Sequence, residues 1–211
     1  FYLGVKSVCD SATMEVKYTN SWASFDLEKE CAEQLIADGC VLISQHADTT
    51  GAPTACEAKK VPCVGYNIDM IPTAPDAALT SATINWGPYY TYAVQSVIEG
   101  TAIDTDWSKG VKDGADAITE LNEKTVAKGT KEKVEEAQKE IEDGTIHVFD
   151  TSKFTVGGKT LEELVESGDE DATKLQSYIK DGYFHESDVA GGMTSAPAFT
   201  FIIDGIDSIT K

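Results

Sequence analysis

The spacing of hydrophobic residues changes repeatedly along the amino-terminal part of the chain and predicts alternating strands and helices. Apolar and polar side chains alternate over 14–19, which is typical of a strand. In residues 25–38 the apolar side chains are spaced for one face of a helix, whereas 40–44 form a continuous apolar run, as in a strand covered on both faces. The predicted order is a strand at 14–19, a helix at 25–38, a strand at 40–44, a helix at 52–60 and a strand at 61–66.

This β-α-β-α-β order predicts an α/β fold built on a parallel sheet with right-handed crossovers. The carboxyl ends of parallel strands meet at one edge of a sheet, and ligands bind beyond that edge. A polar loop follows each of the three predicted strands, at 20–22, 46–50 and 67–69. Together these loops supply five candidate ligand-binding residues, which are Trp22, His46, Asp48, Thr49 and Asp69.

Two further candidates precede a helix in the middle of the chain. Residues 82–84 form a short strand-like run, and Pro88 suits the first turn of a helix that ends at Gly100. Asn85 and Trp86 would then lie at the amino terminus of this helix, where backbone N–H groups are available to an acceptor. Further along, the pattern predicts a loop over 101–118, a helix over 131–143, a hairpin-like turn within 155–160 and strands at 145–149 and 199–204.

The composition is that of an acidic globular protein. The 211 residues carry a formal net charge of -19, which argues against nucleic-acid binding, because neutralising phosphates requires clustered lysine and arginine. No apolar stretch approaches the length of a membrane span. The five cysteines show no metal-binding spacing, and we expect them to be mainly reduced thiols of the core, with at least one unpaired within the chain.

Three kinds of chemistry compete for the candidate residues. A hydrolase would use His46 as its base and Asp48 as its orienter, but no nucleophile motif accompanies them. A metal site built from His46, Asp48 and Asp69 lacks further ligands at coordination spacing, and no dinucleotide or triphosphate motif is present. We therefore expect neither a metal nor a cofactor. Tryptophan faces beside hydroxyl, amide and carboxylate groups favour the binding of a flat heterocycle or a sugar ring.

Longer motifs occur in order from about residue 3 to about residue 150, among them "TNSWASFDLEKE", "SQHADTTGAP", "VGYNIDM", "TSATINWGPYY" and "GTIHVF". Together they resemble the basic membrane protein (BMP) family of substrate-binding lipoproteins, which serve ABC transporters. The resemblance implies the type I periplasmic-binding-protein fold, with two α/β lobes and a parallel sheet flanked by helices. It also implies a receptor similar to those that bind purine nucleosides or nucleobases.

The resemblance further implies that this chain is mostly the C-terminal lobe of a longer receptor. Residues 1–80 and 105–211 would form that lobe, and 81–104 would belong to the N-terminal lobe, most of which would lie outside this chain in cis. A signal sequence and a lipidated cysteine would precede it, so that the protein would be an extracytoplasmic lipoprotein of the cell membrane. Its partners would be a small-molecule ligand and an ABC permease.

Particular residues acquire roles from the same resemblance. Trp22 matches an aromatic residue that stacks on the purine, and Asp69 matches an acid that binds the ribose hydroxyls. The loop at 46–49 replaces a glycine-rich loop of the nucleoside receptors. A lysine that follows the Thr-Ser pair in those receptors is missing, since Ile84 and Asn85 stand there. Trp86 would supply a second stacking face instead, which favours a bare base or another flat ligand.

The leading hypothesis is therefore the solute-binding component of an ABC importer, which captures a purine nucleoside or nucleobase by lobe closure without making or breaking a bond. A sugar- or polyol-binding receptor of the same fold is an alternative, because stacking aromatics and acids serve carbohydrates equally well. Two alternatives from other classes are a hydrolase that uses His46 and Asp48 and a ligand-sensing regulator built from the same lobes.

Overall fold

The computed structural model of the protein describes residues 1–185 and 199–209. The chain divides into two units. Unit 1 comprises Phe1–Val16 and Gly144–Ser208, and unit 2 comprises Lys17–Asp143 with the last residues of the chain. Because all the candidate ligand-binding residues fall between 17 and 143, the candidate site is described within unit 2 alone.

Helices and strands largely alternate through the first part of the chain, as in an α/β protein, although the strands at 63–66 and 78–84 follow each other without a helix between them. Up to residue 143 the elements are α1 (Tyr2–Val8), β1 (Met14–Lys17), α2 (Phe25–Asp38), β2 (Ile43–Ser44), α3 (Gly51–Lys59), β3 (Cys63–Tyr66), β4 (Ala78–Ile84), α4 (Gly87–Glu99), β5 (Asp116–Ile118) and α5 (Thr130–Glu142). Beyond it they are α6 (Leu161–Glu166), α7 (Glu170–Leu175), β6 (Ile179–Lys180), β7 (Tyr183–Phe184) and β8 (Ile206–Ile209).

The sheet of unit 2 has the strand order β2-β3-β4-β5. Strands β2, β3 and β4 are parallel, with Ile43 opposite Cys63 and Cys63 opposite Ala78, and β5 is antiparallel at the edge. The predicted α/β class with a parallel sheet is therefore confirmed. Since the three parallel strands share one direction, the residues that follow Ser44, Tyr66 and Ile84 emerge at the same edge of the sheet.

The first predicted strand does not belong to this sheet. The prediction was wrong on this point, because β1 pairs with β8 in a separate two-stranded sheet. The Met14 N–H donates to the Gly205 carbonyl at 2.9 Å, and all four residues of β1 are half-buried. Alternating side chains indicate a strand with one covered face but do not identify the neighbouring strand, so the pattern could not place β1 in the sheet.

Three other predicted strands differ from the structure. Only Ile43–Ser44 of the run at 40–44 is a strand, and Val41 is 81% exposed. Residues 145–149 and 199–204 contain no strand, and the final strand lies at Ile206–Ile209 instead. Short apolar runs do not by themselves distinguish a strand from another partly buried segment, which explains these errors.

The predicted helices are confirmed to within a residue or two. Gly39 and Gly100 adopt left-handed conformations, with φ of 106° and 68°, and end α2 and α4 as predicted. Within 101–118, which was predicted to be a loop, β5 forms the edge of the sheet. The predicted turn within 155–160 is also confirmed, since Val156 and Lys159 form an antiparallel bridge.

Small side chains form most of the core of unit 2, which lets α2 and α3 approach each other and the sheet closely. The buried residues of this core are Ala32, Ile43, Ala52, Ala55, Cys56, Cys63, Met70, Ala74, Ala77 and Ala78. Gly51 marks the closest approach, because a Cβ atom there would lie 2.3 Å from the Phe25 carbonyl oxygen. The first turn of α3 is thus packed directly against the first turn of α2.

Replacing Gly51 with alanine tests this close approach. We expect Gly51→Ala to lower the free energy of unfolding by about 1–3 kcal/mol, because the added methyl group must push the backbones of α2 and α3 apart. Urea denaturation followed by circular dichroism measures the change. Gly110→Ala is the matched control, since a Cβ atom there would meet only the Asp116 carboxylate at 3.8 Å. Equal stability of the two variants would contradict the packing described here.

Candidate functional site

The carboxyl ends of β2, β3 and β4 carry three polar loops. They are residues 45–50, 67–69 and 85–86, and they contain six of the seven candidate residues. The seventh, Trp22, follows β1, which is outside this sheet. Its position relative to the edge therefore depends on contacts between loops and does not follow from strand order.

A backbone hydrogen bond joins the Trp22 loop to the loop that follows β2. The Asp48 N–H donates to the Trp22 carbonyl oxygen at 2.9 Å. The Trp22 side chain is 82% exposed and the Asp48 side chain is also exposed. Asn20 adopts φ of 53° and turns the chain before Trp22, a conformation that asparagine tolerates better than most residues. The backbone bond thus joins a segment that carries a solvent-exposed indole to a loop that carries an exposed carboxylate.

The loop that follows β2 also contacts the end of β3. The His46 ring lies 5.5 Å from the Tyr66 ring, centroid to centroid, with the two planes tilted by 55°. Partial desolvation lowers the pKa of His46 below its ordinary value, which favours the neutral imidazole, a form that can both donate and accept a hydrogen bond. Among the described residues His46 and Asp48 share no hydrogen bond, so the base and orienter of a hydrolase are not paired.

Asp69 lies in a loop that is held by β4. The Asn67 N–H donates to the Ala82 carbonyl at 2.7 Å, and the Thr83 hydroxyl donates to the Asn67 carbonyl at 2.8 Å. One Asp69 carboxylate oxygen accepts the Ile71 N–H at 2.9 Å, and the side chain is exposed. Its second oxygen is therefore available to a hydroxyl or amine of a ligand.

Asn85 and Trp86 occupy the junction between β4 and α4. The Asn85 side-chain NH₂ group donates to the Gly114 carbonyl at 2.9 Å, and its side-chain oxygen accepts from the Gly87 N–H at 3.1 Å. Both polar atoms of the side chain therefore form hydrogen bonds within the protein. Trp86 is 53% exposed and stacks on Tyr90 at a centroid distance of 6.2 Å. Asn85 is thus a structural residue in this conformation, whereas Trp86 offers an open ring.

Two buried polar residues behind these loops were missed from the sequence. The Glu28 carboxylate accepts from the Ser24 N–H at 3.1 Å, from the Thr49 N–H at 3.1 Å and from the Thr49 hydroxyl at 2.7 Å. The Gln45 amide donates to the carbonyls of Ala47 and Thr49, both at 2.9 Å. An acid in the first turn of a helix is common, so the pattern gave no signal that Glu28 is buried.

Two classes of feature are absent from residues 1–185 and 199–209. No group of three or more His, Cys, Asp or Glu side chains there could hold a metal ion. No helix in the same residues is long and apolar enough to cross a membrane.

Comparison with known proteins identifies the family. Residues 1–150 match the Bmp family model, which describes PnrA-like substrate-binding proteins of ABC transporters. The chain belongs to this family. Its members are solute-binding receptors, and such receptors of ABC importers act outside the cytoplasm.

Two curated relatives and two solved structures are similar to this Bmp-family chain. A purine-binding protein of Brucella abortus is 31% identical over 149 residues, which cover 71% of this chain and 42% of the relative. A Haloferax volcanii protein named as a putative ABC transporter glucose-binding protein is 29% identical over 153 residues, which cover 72% of this chain and 39% of the relative. The chain therefore spans about two fifths of the length of these relatives.

The solved structures share the fold at low sequence identity. An ABC transporter solute-binding protein of Conexibacter woesei matches with a TM-score of 0.54 and 19% identity, covering 69% of this chain and 49% of the other. One of Aeropyrum pernix matches with a TM-score of 0.50 and 17% identity, covering 74% and 52%. These likenesses establish the α/β fold of solute-binding proteins for this Bmp-family chain.

The exposure of Trp22 leads to a prediction about stability. We expect Trp22→Ala to change the free energy of unfolding by less than about 0.5 kcal/mol, because the side chain is almost fully in solvent. Met70→Ala is the contrasting variant and should cost about 2–5 kcal/mol, because Met70 is 1% exposed in the core. Urea denaturation measures both changes. A large loss for Trp22→Ala would show that the indole packs inside the fold.

Proposed function

We propose that the protein is the solute-binding component of an ABC importer and that it holds a purine base or nucleoside at the carboxyl edge of β2, β3 and β4. The backbone hydrogen bond from Asp48 to Trp22 is the main observation in support of the proposal, because it joins the segment that carries an exposed indole to a polar loop. Membership of the Bmp family supports the receptor role.

The side chains at this edge suit a flat, polar ring. An indole face contributes stacking, and the hydroxyl, imidazole and carboxylate groups around it can bond to the nitrogen and oxygen atoms of a heterocycle. The proposed ligand-binding residues are Trp22, His46, Asp48, Thr49, Asp69 and Trp86, with Asn85 ordering the turn before α4. A purine-binding relative with 31% identity supports a purine as the ligand.

Capture requires a second lobe, and the surface of α4 supports its presence in the full-length protein. Several apolar side chains of α4 face solvent in the described structure, with Val97 69% and Ile98 73% exposed. Soluble proteins seldom leave a continuous apolar helix face uncovered. We propose that 81–104 belongs with the N-terminal lobe in cis, that 1–80 and 105–211 form the C-terminal lobe, and that the N-terminal lobe covers this face of α4. Residues 81–84 of that segment pair with β3 and β5 here, so the chain would leave the sheet only after β4.

Ligand would then act by shifting a conformational equilibrium. A solute that contacts both lobes lowers the free energy of the closed form more than that of the open form, and only this difference drives closure. The permease would recognise the closed form, while a lipid anchor outside this chain would hold the receptor at the membrane surface. No residue needs to act as a nucleophile or base for this task.

A sugar receptor of the same fold is the alternative that a specific observation favours. The Haloferax volcanii relative is named for glucose, and it covers a similar share of this chain. Tryptophan faces and carboxylates serve pyranose rings as well as purines. The exposed Asp69 oxygen would accept a hydrogen bond from a sugar hydroxyl, as it would from the ribose of a nucleoside.

Calorimetric titration of the full-length protein separates these ligands. We expect heat of binding from at least one of adenine, adenosine, guanosine and inosine, because a purine-binding relative is 31% identical over 149 residues, and we expect none from glucose. Binding of glucose with no response to any purine would replace the purine assignment with the sugar alternative. No heat of binding from any of the five compounds would exclude both the purine and the sugar assignment.

Trp22→Ala in the same protein tests the stacking role. Loss of a base–aromatic stack costs about 1–3 kcal/mol, so the dissociation constant should rise roughly 5- to 150-fold. Val41→Ala is the matched control, because Val41 is equally exposed but precedes β2 at the opposite end of the strand. The control should bind as tightly as the unchanged protein. Unaltered affinity of Trp22→Ala would exclude stacking on this indole.

A further inference from the structure

One buried carboxylate touches two of the segments that carry proposed ligand-binding groups, the one after Trp22 and the 46–50 loop. Glu28 lies in the first turn of α2 and is 3% exposed. Its Oε1 atom accepts from the Ser24 backbone, and its Oε2 atom accepts from both the backbone and the hydroxyl of Thr49. The two oxygens of a single side chain thus hold two segments that are distant in sequence.

The environment of Glu28 explains why a carboxylate is required there. Three donors converge on its oxygens, and no lysine forms an ion pair with it in the described part of the chain. Hydrogen bonds from N–H and O–H groups, together with the positive amino terminus of α2, offset the cost of burying the charge. An amide would present an NH₂ group to one set of these donors and would leave that set unpaired.

The two held segments adjoin the ligand-binding groups directly. Ser24 follows Trp22 by two residues, and Thr49 follows Asp48 by one. Two links therefore join these segments. One is the backbone hydrogen bond between Asp48 and Trp22, and the other is the buried Glu28 carboxylate, which bonds to Ser24 and Thr49. Together the Glu28 carboxylate and the Asp48–Trp22 backbone bond fix the spacing of the two loops.

Gln45 secures the same loop from a second direction. It is 8% exposed, and its amide N–H groups bond to the Ala47 and Thr49 carbonyls. These bonds direct two carbonyl groups of the loop inward. The loop is thus held at three consecutive residues, Ala47, Asp48 and Thr49, in the absence of ligand. Because the loop is already ordered, ligand binding costs less conformational entropy.

We propose that Glu28 is a positioning residue for the flat ligand of this site: it sets the distance between the backbone segment that carries Trp22 and the 46–50 loop. This inference rests on the proposed function, since it assigns a task to a residue behind the same site. Glu28 does not touch the ligand. It acts through the backbone of Ser24 and Thr49, so its loss should disturb loop order as well as affinity.

Glu28→Gln in the full-length protein is the test, with hydrogen–deuterium exchange and calorimetric titration as the two measurements. Exchange should speed up at the Ser24 and Thr49 amides relative to the amides of β3. The dissociation constant for whichever of adenine, adenosine, guanosine and inosine the unchanged protein binds should rise about tenfold or more, because charged hydrogen bonds are lost behind the site. Glu28→Asp is a second variant, to be used if the Glu28→Gln protein does not fold. Its shorter carboxylate can bond to at most one of the two loops.

Asn122→Ala is the matched control for a general loss of stability. Asn122 is 7% exposed, and its amide bonds to the Pro75 and Ala78 carbonyls, away from both loops. This variant should lower the melting temperature while leaving the relative exchange of the loop amides and the ligand affinity unchanged. An equal loss of affinity in Asn122→Ala would reduce Glu28 to an ordinary structural residue.

The two measurements separate failure of this inference from failure of the proposed function. Unchanged loop exchange in both Glu28 variants would overturn the positioning role, and so would faster exchange with unchanged affinity. If the unchanged protein binds none of the four purines, the purine assignment fails. Exchange at Ser24 and Thr49 then decides alone whether Glu28 fixes the spacing of the loops.

Discussion

A single buried carboxylate links the packing of the helices to the geometry of the site. Glu28 reaches Ser24 at the start of its own helix, and it also reaches Thr49 because the first turns of α2 and α3 lie against each other, with Gly51 leaving no side chain between them. The close packing in turn depends on a core rich in alanine. The spacing of the two loops therefore depends on the contact between α2 and α3, and that contact depends on the small side chains of the core.

The parallel direction of β2, β3 and β4 explains where the site lies, and the loop contacts explain what it contains. Strand direction alone would gather the loops after Ser44, Tyr66 and Ile84 at one edge. Trp22 joins them through a backbone hydrogen bond to Asp48, although β1 pairs elsewhere. A receptor needs such an edge to be open on one side, and a second lobe over α4 would complete the enclosure.

The sequence predicted the elements whose signals are local. Gly39 and Gly100 ended their helices as expected, because a left-handed backbone at a helix end favours glycine. It could not place β1, because alternation does not specify a partner strand, and it could not reveal Glu28, because burial of a first-turn acid depends on a loop that is distant in sequence. The loops after the predicted strands and the start of the helix that follows Trp86 supplied the candidate ligand-binding residues, and the family resemblance supplied roles for several of them, all of which stay predictions.

A crystal structure of the full-length protein with a bound purine would test the central claim most directly. A site at the carboxyl edge of β2, β3 and β4 predicts the purine ring stacked on Trp22, with its polar atoms bonded to the 46–50 loop and Asp69, and with a second lobe closed over it. A purine bound elsewhere, with Trp22 still in solvent, would contradict the claim.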